Sequence, residues 1–461
     1  MKKHPKKLVL PLSIYDDKPG VVFTFPVRLM LSDNMLTKLP APAWLSFLYA
    51  ALFLLLPWSP EVSSGNWHLR FPSEALTLLA GVSLAIYLWR HPSLFLQKLQ
   101  FSQPILLAGV LWVIWLSVSL VFSTMPVVSV KYWIVETGQF WVFFVGLWVF
   151  REWWQQLLPL FACSMAGIVL FTLAHHFQYQ FRADQSMLAP IPFFPDHTLY
   201  SAVLVMLLPN MSLQFKRPWA GILIVLFLIG LVFAGCRAAW LSLLLAGMLV
   251  LPLVYRKKWK WWLLPAVMLL VGVVSMKTLL ADKIGKDISS LERLNRYSSA
   301  RRMSEQRPFT GFGPGTFQFQ YLAFQRPEEM TRISITDPVR DLRPDQFGRG
   351  GGAHSEYFQA LAENGWPGLL FWLLLAGSAV FTGVKSYLSS QTKENQWIIL
   401  AALFSLLTFF IHTFFNNFLH DGRIALLFWG QLAWLAGKGE MGTSLNNSTS
   451  STTQPFNSPI P

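Results

Sequence analysis

Long apolar runs separated by short polar ones set the pattern of this chain. A bilayer core takes about 20 consecutive, mostly apolar residues as a helix. Runs of that kind fall near 41–57, 73–89, 104–122, 132–150, 156–177, 198–215, 218–235, 238–255, 260–279, 366–384, 396–415 and 423–437. The pattern predicts an all-α polytopic membrane protein with about 12 transmembrane helices. One polar stretch, 280–356, is much longer than the other connections and predicts a large, partly helical loop between the ninth and tenth spans. The spans therefore divide into a block at 41–279 and a block at 357–437. Residues 1–40 carry basic charge and short apolar runs broken by DDKPG, which predicts a cytoplasmic leader rather than a cleaved signal peptide. The polar stretch 438–461 has few large side chains to bury and predicts a disordered cytoplasmic tail.

Composition and charge add orientation. A hydrophobic content of 53% with 13% charged residues excludes an ordinary soluble chain. The net charge of +14 is spread in small clusters between apolar runs, not gathered on one polar domain, which argues for topology and against nucleic acid. Loops such as KKHPKK, RHPSLFLQK, FKRP and YRKKWKW are basic, whereas the alternating set, with PWSPEVSSGN, STMPVV and NNFLHDG, is not. Retained cytoplasmic loops hold the Lys and Arg. Both termini are thus expected in the cytoplasm and the 280–356 loop on the outer face. Cys163 and Cys236 have neither disulfide nor metal-ligand spacing and read as small hydrophobes.

Candidate chemistry collects on that outer face. In AGCRAAWL, Arg237 stands at the junction of two spans, where an arginine either snorkels or serves a site. In LERLNRYSSARR, Arg293 and Arg296 are three residues apart and Arg293 and Tyr297 four apart, so they can share a helical face. A planar guanidinium binds phosphate with two parallel hydrogen bonds, while a solvated basic helix near lipid headgroups is the plainer reading for Arg301, Arg302 and Arg307. GFGPG lacks the spacing of a dinucleotide fingerprint and the Lys-Ser/Thr of a P-loop, so its glycines predict a tight turn against the membrane domain. In RGGGAHSEYFQALAENGWPG, a short helix is expected from His354 or Ser355 to Asn364-Gly365, with Pro367 opening the next span. His354 shares the apolar face of that helix with Tyr357, Phe358 and Leu361, as structural histidines do. No cysteine pair accompanies it as a zinc deaminase requires, and no nucleophile elbow makes Ser355 a hydrolase serine. No metal or cofactor is implied. Arginines beside one histidine suit a site that holds a pyrophosphate while a base deprotonates an acceptor.

With those residues the chain resembles the O-antigen ligase and polymerase superfamily of bacterial inner-membrane proteins. The resemblance rests on AGCRAAWL, on Arg293 with an aromatic four residues on, on the PxxGxGxGxF turn from Pro308 to Phe317, and on AHSEYFQALAENGWPG. Tyr297 stands where the family usually has tryptophan, and the leader is long for the family. The resemblance implies transfer of a glycan from undecaprenyl diphosphate to an acceptor on the periplasmic face of the inner membrane. The acceptor would be lipid A core, another lipid-linked glycan or a protein hydroxyl, in lipopolysaccharide or related polysaccharide biosynthesis. It maps the family's histidine, the general base, onto His354, and its diphosphate-binding arginines onto Arg237 and Arg293. Arg296 joins them by helical spacing. Glu356 is a possible support. PDHTLYSA and FFNNFLHD resemble outer-face segments of the family and add His197, Asn417 and Asp421 as supporting candidates, with capping and turn formation the better explanation for the last two. Glu363 takes no assigned role. A small-anion transporter is the reading from another class, but such proteins carry ionisable groups or broken helices at mid-bilayer, and here the charges sit at the rim.

Overall fold

Proline and glycine punctuate the apolar runs as expected. Helices α1 (Ala43–Leu55), α2 (Ser73–Arg90), α3 (Pro92–Leu96), α4 (Pro104–Val121) and α5 (Pro126–Gln139) open the chain, the last three starting on a proline whose missing amide costs nothing at a helix start. A π-helical turn, Phe140–Val145, leads into α6 (Gly146–Val149) and then α7 (Glu152–Gln178). Helices α8 (His197–Gln214), α9 (Pro218–Ala234) and α10 (Arg237–Val254) follow, with Gly235 at φ +65° separating the last two. Beyond them lie α11 (Ile288–Gln306), the short α12 (Phe317–Gln320), α13 (Glu356–Ser389), α14 (Lys393–His412) and α15 (Gly422–Thr449).

This computed structural model describes residues 42–64, 67–99, 103–214, 218–255, 288–329 and 351–449. They belong to one unit, Leu39–Pro461; a second unit, Met1–Lys38, which contains most of the expected leader, lies outside them. Also outside are the expected span 260–279, residues 330–350 of the loop and residues 450–461 of the tail, whose earlier part, expected as disordered, continues α15 as helix to Thr449. The other expected spans all fall on helix. Among the described residues, α4, α7, α10, α13 and α14 are long and apolar enough to cross a membrane, with α1 and α9 shorter and apolar. The chain is a helical, multi-pass membrane protein.

Three local features differ from expectation or sharpen it. The PWSPEVSSGN region, expected as a plain loop, begins an antiparallel hairpin pairing Glu61–Ser64 with Trp67–Arg70. The helix after His354 ends at Gly365 as expected: Gly365 has non-helical geometry, φ +70°, and α13 is two helices joined across that kink, with the Trp366 amide donating to the Pro308 carbonyl at 2.8 Å. A Cβ at Gly365 would lie 2.2 Å from the Phe309 carbonyl oxygen, so only glycine lets the loop reach the kink.

The GFGPG turn does dock on the membrane helices. The Phe312 and Gly313 amides donate to the Ala362 and Glu363 carbonyls of α13, and the Ser129 hydroxyl of α5 donates to the Pro314 carbonyl at 2.8 Å. Gly311, Gly313 and Gly315 all have positive φ, and a Cβ on Gly313 would overlap Ser123. Ala300, Met303, Phe312, Phe317 and Tyr321 form a small core of the loop's own, completed by Ala353 and by Ala362 of α13. This core seats α11 and the segment before α13 on the transmembrane helices.

Candidate functional site

Helix α11 supplies three of the expected residues, and their i, i+3, i+4 spacing turns them toward the chain that precedes α13. Arg296, expected at the diphosphate, lies under the glycine loop. It is 3% exposed, its Nη1 donates to the Gly351 and Gly352 carbonyls at 3.1 and 2.9 Å, and its Nε donates to Glu292 at 3.1 Å. Its guanidinium also lies 4.7 Å from the Tyr321 ring centroid. Arg296 thus holds the glycine loop that leads to His354. Helical spacing alone could not separate it from Arg293, because both face the same way and only packing decides which is buried.

Tyr297 holds the histidine's backbone. Its hydroxyl donates to the His354 carbonyl at 3.1 Å and the Phe414 carbonyl at 2.9 Å, and its ring stacks on Phe358 at 4.4 Å. Burial raises the phenol to about 12, against the Arg293 charge, so it remains a donor.

His354 itself adopts φ +54°, a left-handed conformation that costs a residue with a Cβ roughly 1–2 kcal/mol. Ser355 then returns to extended geometry, φ −164°, as the N-cap of α13. A Cβ on Gly352 would meet the amide ends of Asn417 and Gln359 at 2.3 Å, so both side chains pack closely against this glycine. Asn417 thereby shapes the approach to His354. Burial first, and then the Arg296 and Arg293 charges, push the imidazole down to about 3, so it is neutral at physiological pH. Its ring nitrogens have no hydrogen-bond partner among the described residues.

Arg293 is the centre of the cluster. Its charge bears on His354, His197, His412 and Tyr297, and its buried Nε has no partner among the described residues. His197 opens α8 beside Asp196, whose carboxylate caps that helix through the Thr198 and Leu199 amides at 2.7 and 2.9 Å. Arg237 is the first residue of α10, exposed, directly after Cys236. Cys236 Sγ lies 3.9 Å from Nε2 of His412. His412, the last residue of α14, escaped the sequence reading, although a histidine ending an apolar run is the kind of signal that marked His354.

The acids near the cluster are bonded to neighbouring backbone and arginines. Glu356 accepts from the Phe418 and Leu419 amides at 2.5 and 2.7 Å, which fastens the 413–421 connection to the start of α13. Glu363 accepts from the Gly315 and Phe317 amides, both at 2.9 Å, and clamps the glycine turn. Asp421 is fully buried between Arg423 and Arg70, each at 2.6 Å. Burial raises its carboxyl, but the Arg423 and Arg70 charges prevail and hold it well below the usual range. The structure therefore gathers His354, Arg293, His197 and His412, with Arg237 adjoining through Cys236, and sets Glu356, Arg296 and Asp421 to hold the surrounding backbone.

Residues 222–373 match a family model described as Wzy_C: O-Antigen ligase. The matched segment contains Arg237, Arg293, the glycine turn and His354 and ends within α13. No curated protein matches the chain. The family match supports the O-antigen ligase superfamily and, with the apolar helices, a multi-pass membrane protein of glycosyl transfer in polysaccharide biosynthesis.

Proposed function

We propose that the chain transfers a glycan from undecaprenyl diphosphate to an acceptor hydroxyl at the periplasmic face of the inner membrane, as an O-antigen ligase or polymerase. One observation carries this reading: a neutral histidine, held in left-handed backbone, beside an arginine with a buried Nε, neither the histidine's ring nitrogens nor that Nε having a hydrogen-bond partner among the described residues. His354 takes the proton of the acceptor hydroxyl as its oxygen attacks the anomeric carbon. The bond from that carbon to the phosphate oxygen breaks, and undecaprenyl diphosphate leaves with the electron pair. Arg293 and Arg237 hold the departing diphosphate and offset its growing charge, which a low-dielectric site makes worth several kcal/mol. Bound diphosphate also counters the arginine charges that depress His354, so the base strengthens when the donor is in place. His197 supports the diphosphate side, and Tyr297 and Asn417 position the base. Membrane lipids surround the site, and the reading requires no cofactor.

The test uses purified protein with a lipid-linked glycan. One reaction contains lipid A core, one a protein acceptor, and one donor alone. Product only with core means ligase, chain growth with donor alone means polymerase, and glycosylated protein means a protein glycosylase. Absence of transfer in all three, with anion uptake into vesicles, would sink the reading in favour of a transporter.

A further inference from the structure

His412 is 1% exposed, and its Nδ1 is buried with no partner among the described residues. Its ring packs edge-on to Phe418 at 5.0 Å, and its Nε2 faces the Cys236 thiol. The two residues after it touch the turn of His354 directly. The Thr413 carbonyl accepts from the Glu356 amide at 3.0 Å, and Tyr297 bridges the Phe414 and His354 carbonyls. Through Cys236 the same ring abuts the residue before Arg237. His412 thus stands where the Arg237, Arg293 and His354 elements meet. Buried polar groups are rarely left unsatisfied, and each exception is costly. Here the Nε of Arg293 and the Nδ1 atoms of His197 and His412 are exceptions in one neighbourhood. All three can be donors, which fits an acceptor-rich anion as the missing partner. A thiol is a donor and sulfur a poor acceptor, so Cys236 beside Nε2 favours the tautomer with its hydrogen on Nδ1.

We propose that His412 donates a hydrogen bond from Nδ1 to the diphosphate of the lipid-linked donor. The inference rests on the transfer reading above and assigns that site a further ligand. It is tested on the full chain in lipid nanodiscs by measuring the Kd of undecaprenyl diphosphate. In His412→Asn the amide nitrogen approximates Nδ1, and in His412→Gln it approximates Nε2. The Gln variant is expected to bind about tenfold more weakly and the Asn variant within about twofold of the parent chain, the scale of one hydrogen bond to a charged group. Equal losses in the two variants, or no loss in either, would overturn the proposal. If the Gln variant does not fold, Cys236→Ala replaces it, frees the other tautomer and should raise Kd about threefold; an unchanged Kd overturns the proposal. Tight binding that Arg293→Ala abolishes, with both His412 variants normal, removes His412 alone and leaves the transfer reading standing. Failure of the parent chain to bind overturns both.

Discussion

The glycine turn clamped by Glu363 and the cluster around Arg293 are tied to the same first turns of α13, yet they treat polar groups in opposite ways. In the clamp the Phe312, Gly313, Gly315 and Phe317 amides all have acceptors on α13, two of them from one carboxylate. In the cluster Arg293, His197 and His412 each keep a buried nitrogen without a partner among the described residues, and His354 sits at φ +54°. Satisfied groups hold a fold, and unsatisfied or strained ones are retained where a ligand or a reaction uses them. The difference separates residues that a bare list of outer-face acids and bases cannot, and it can be attacked from both sides.

The largest expected effect is on the strained side. His354→Ala should lower glycan transfer by about 10²–10⁴-fold, the range for a lost general base. Unfolding in detergent should not shift downward with it, because the ring makes no hydrogen bond among the described residues. His354→Gly sharpens the point: glycine accepts positive φ, so this variant should be as inactive yet no less stable than the parent. Activity retained in either variant would remove the base.

The opposite pattern is expected at the clamp. Glu363→Ala strands the Gly315 and Phe317 amides and should cost about 3 kcal/mol of stability at roughly 1–3 kcal/mol per buried donor, seen as earlier thermal unfolding. Transfer per folded molecule should change little. A loss of turnover with unchanged unfolding would instead place Glu363 in the reaction.

Much of this division was legible in the sequence, and some was not. Apolar period and Pro/Gly punctuation located the helices, because both follow from what a bilayer and a helix start demand of each residue. GFGPG was readable as a docking turn, since positive φ and close approach need glycine. The roles of Arg293 and Arg296 were not separable, because both lie on one face of α11 and only tertiary contact buries Arg296 under the Gly351 and Gly352 carbonyls. Asp421 read as a supporting candidate or a turn former, with Arg423 two residues on, and its pairing with Arg70 became visible only when the distant hairpin came to rest beside it. His412 lay in plain view at the end of a span, without a local companion to mark it.

The pH profile gives a smaller and more specific discrimination. Because His354 in the free site titrates near 3 and not near 6.5, the neutral base persists down to low pH. The acid limb of kcat/KM, which reports the free enzyme, should therefore lie below about pH 5. The kcat limb, which reports the donor complex, should lie higher, because bound diphosphate favours the imidazolium. Arg293→Gln should move the kcat/KM limb upward by removing one of the charges that depress His354. Coincident limbs near 6.5 would mean that neither burial nor the arginines act on the base.

The mildest change tests the link between the two regions. Tyr297→Phe preserves the stack on Phe358 but removes the hydroxyl that joins the His354 and Phe414 carbonyls. One such hydrogen bond contributes about 1 kcal/mol, so stability should fall by about that much and no more. The backbone carrying His354 would then lose one of the contacts that hold it in left-handed geometry. A base displaced by a fraction of an ångström loses rate without losing donor affinity. The expected result is a drop of about three- to tenfold in kcat with KM for the lipid-linked donor nearly unchanged. An equal rise in KM with kcat intact would show that the tyrosine serves the diphosphate, and that the strain at His354 is held by Arg296 and the glycine loop alone.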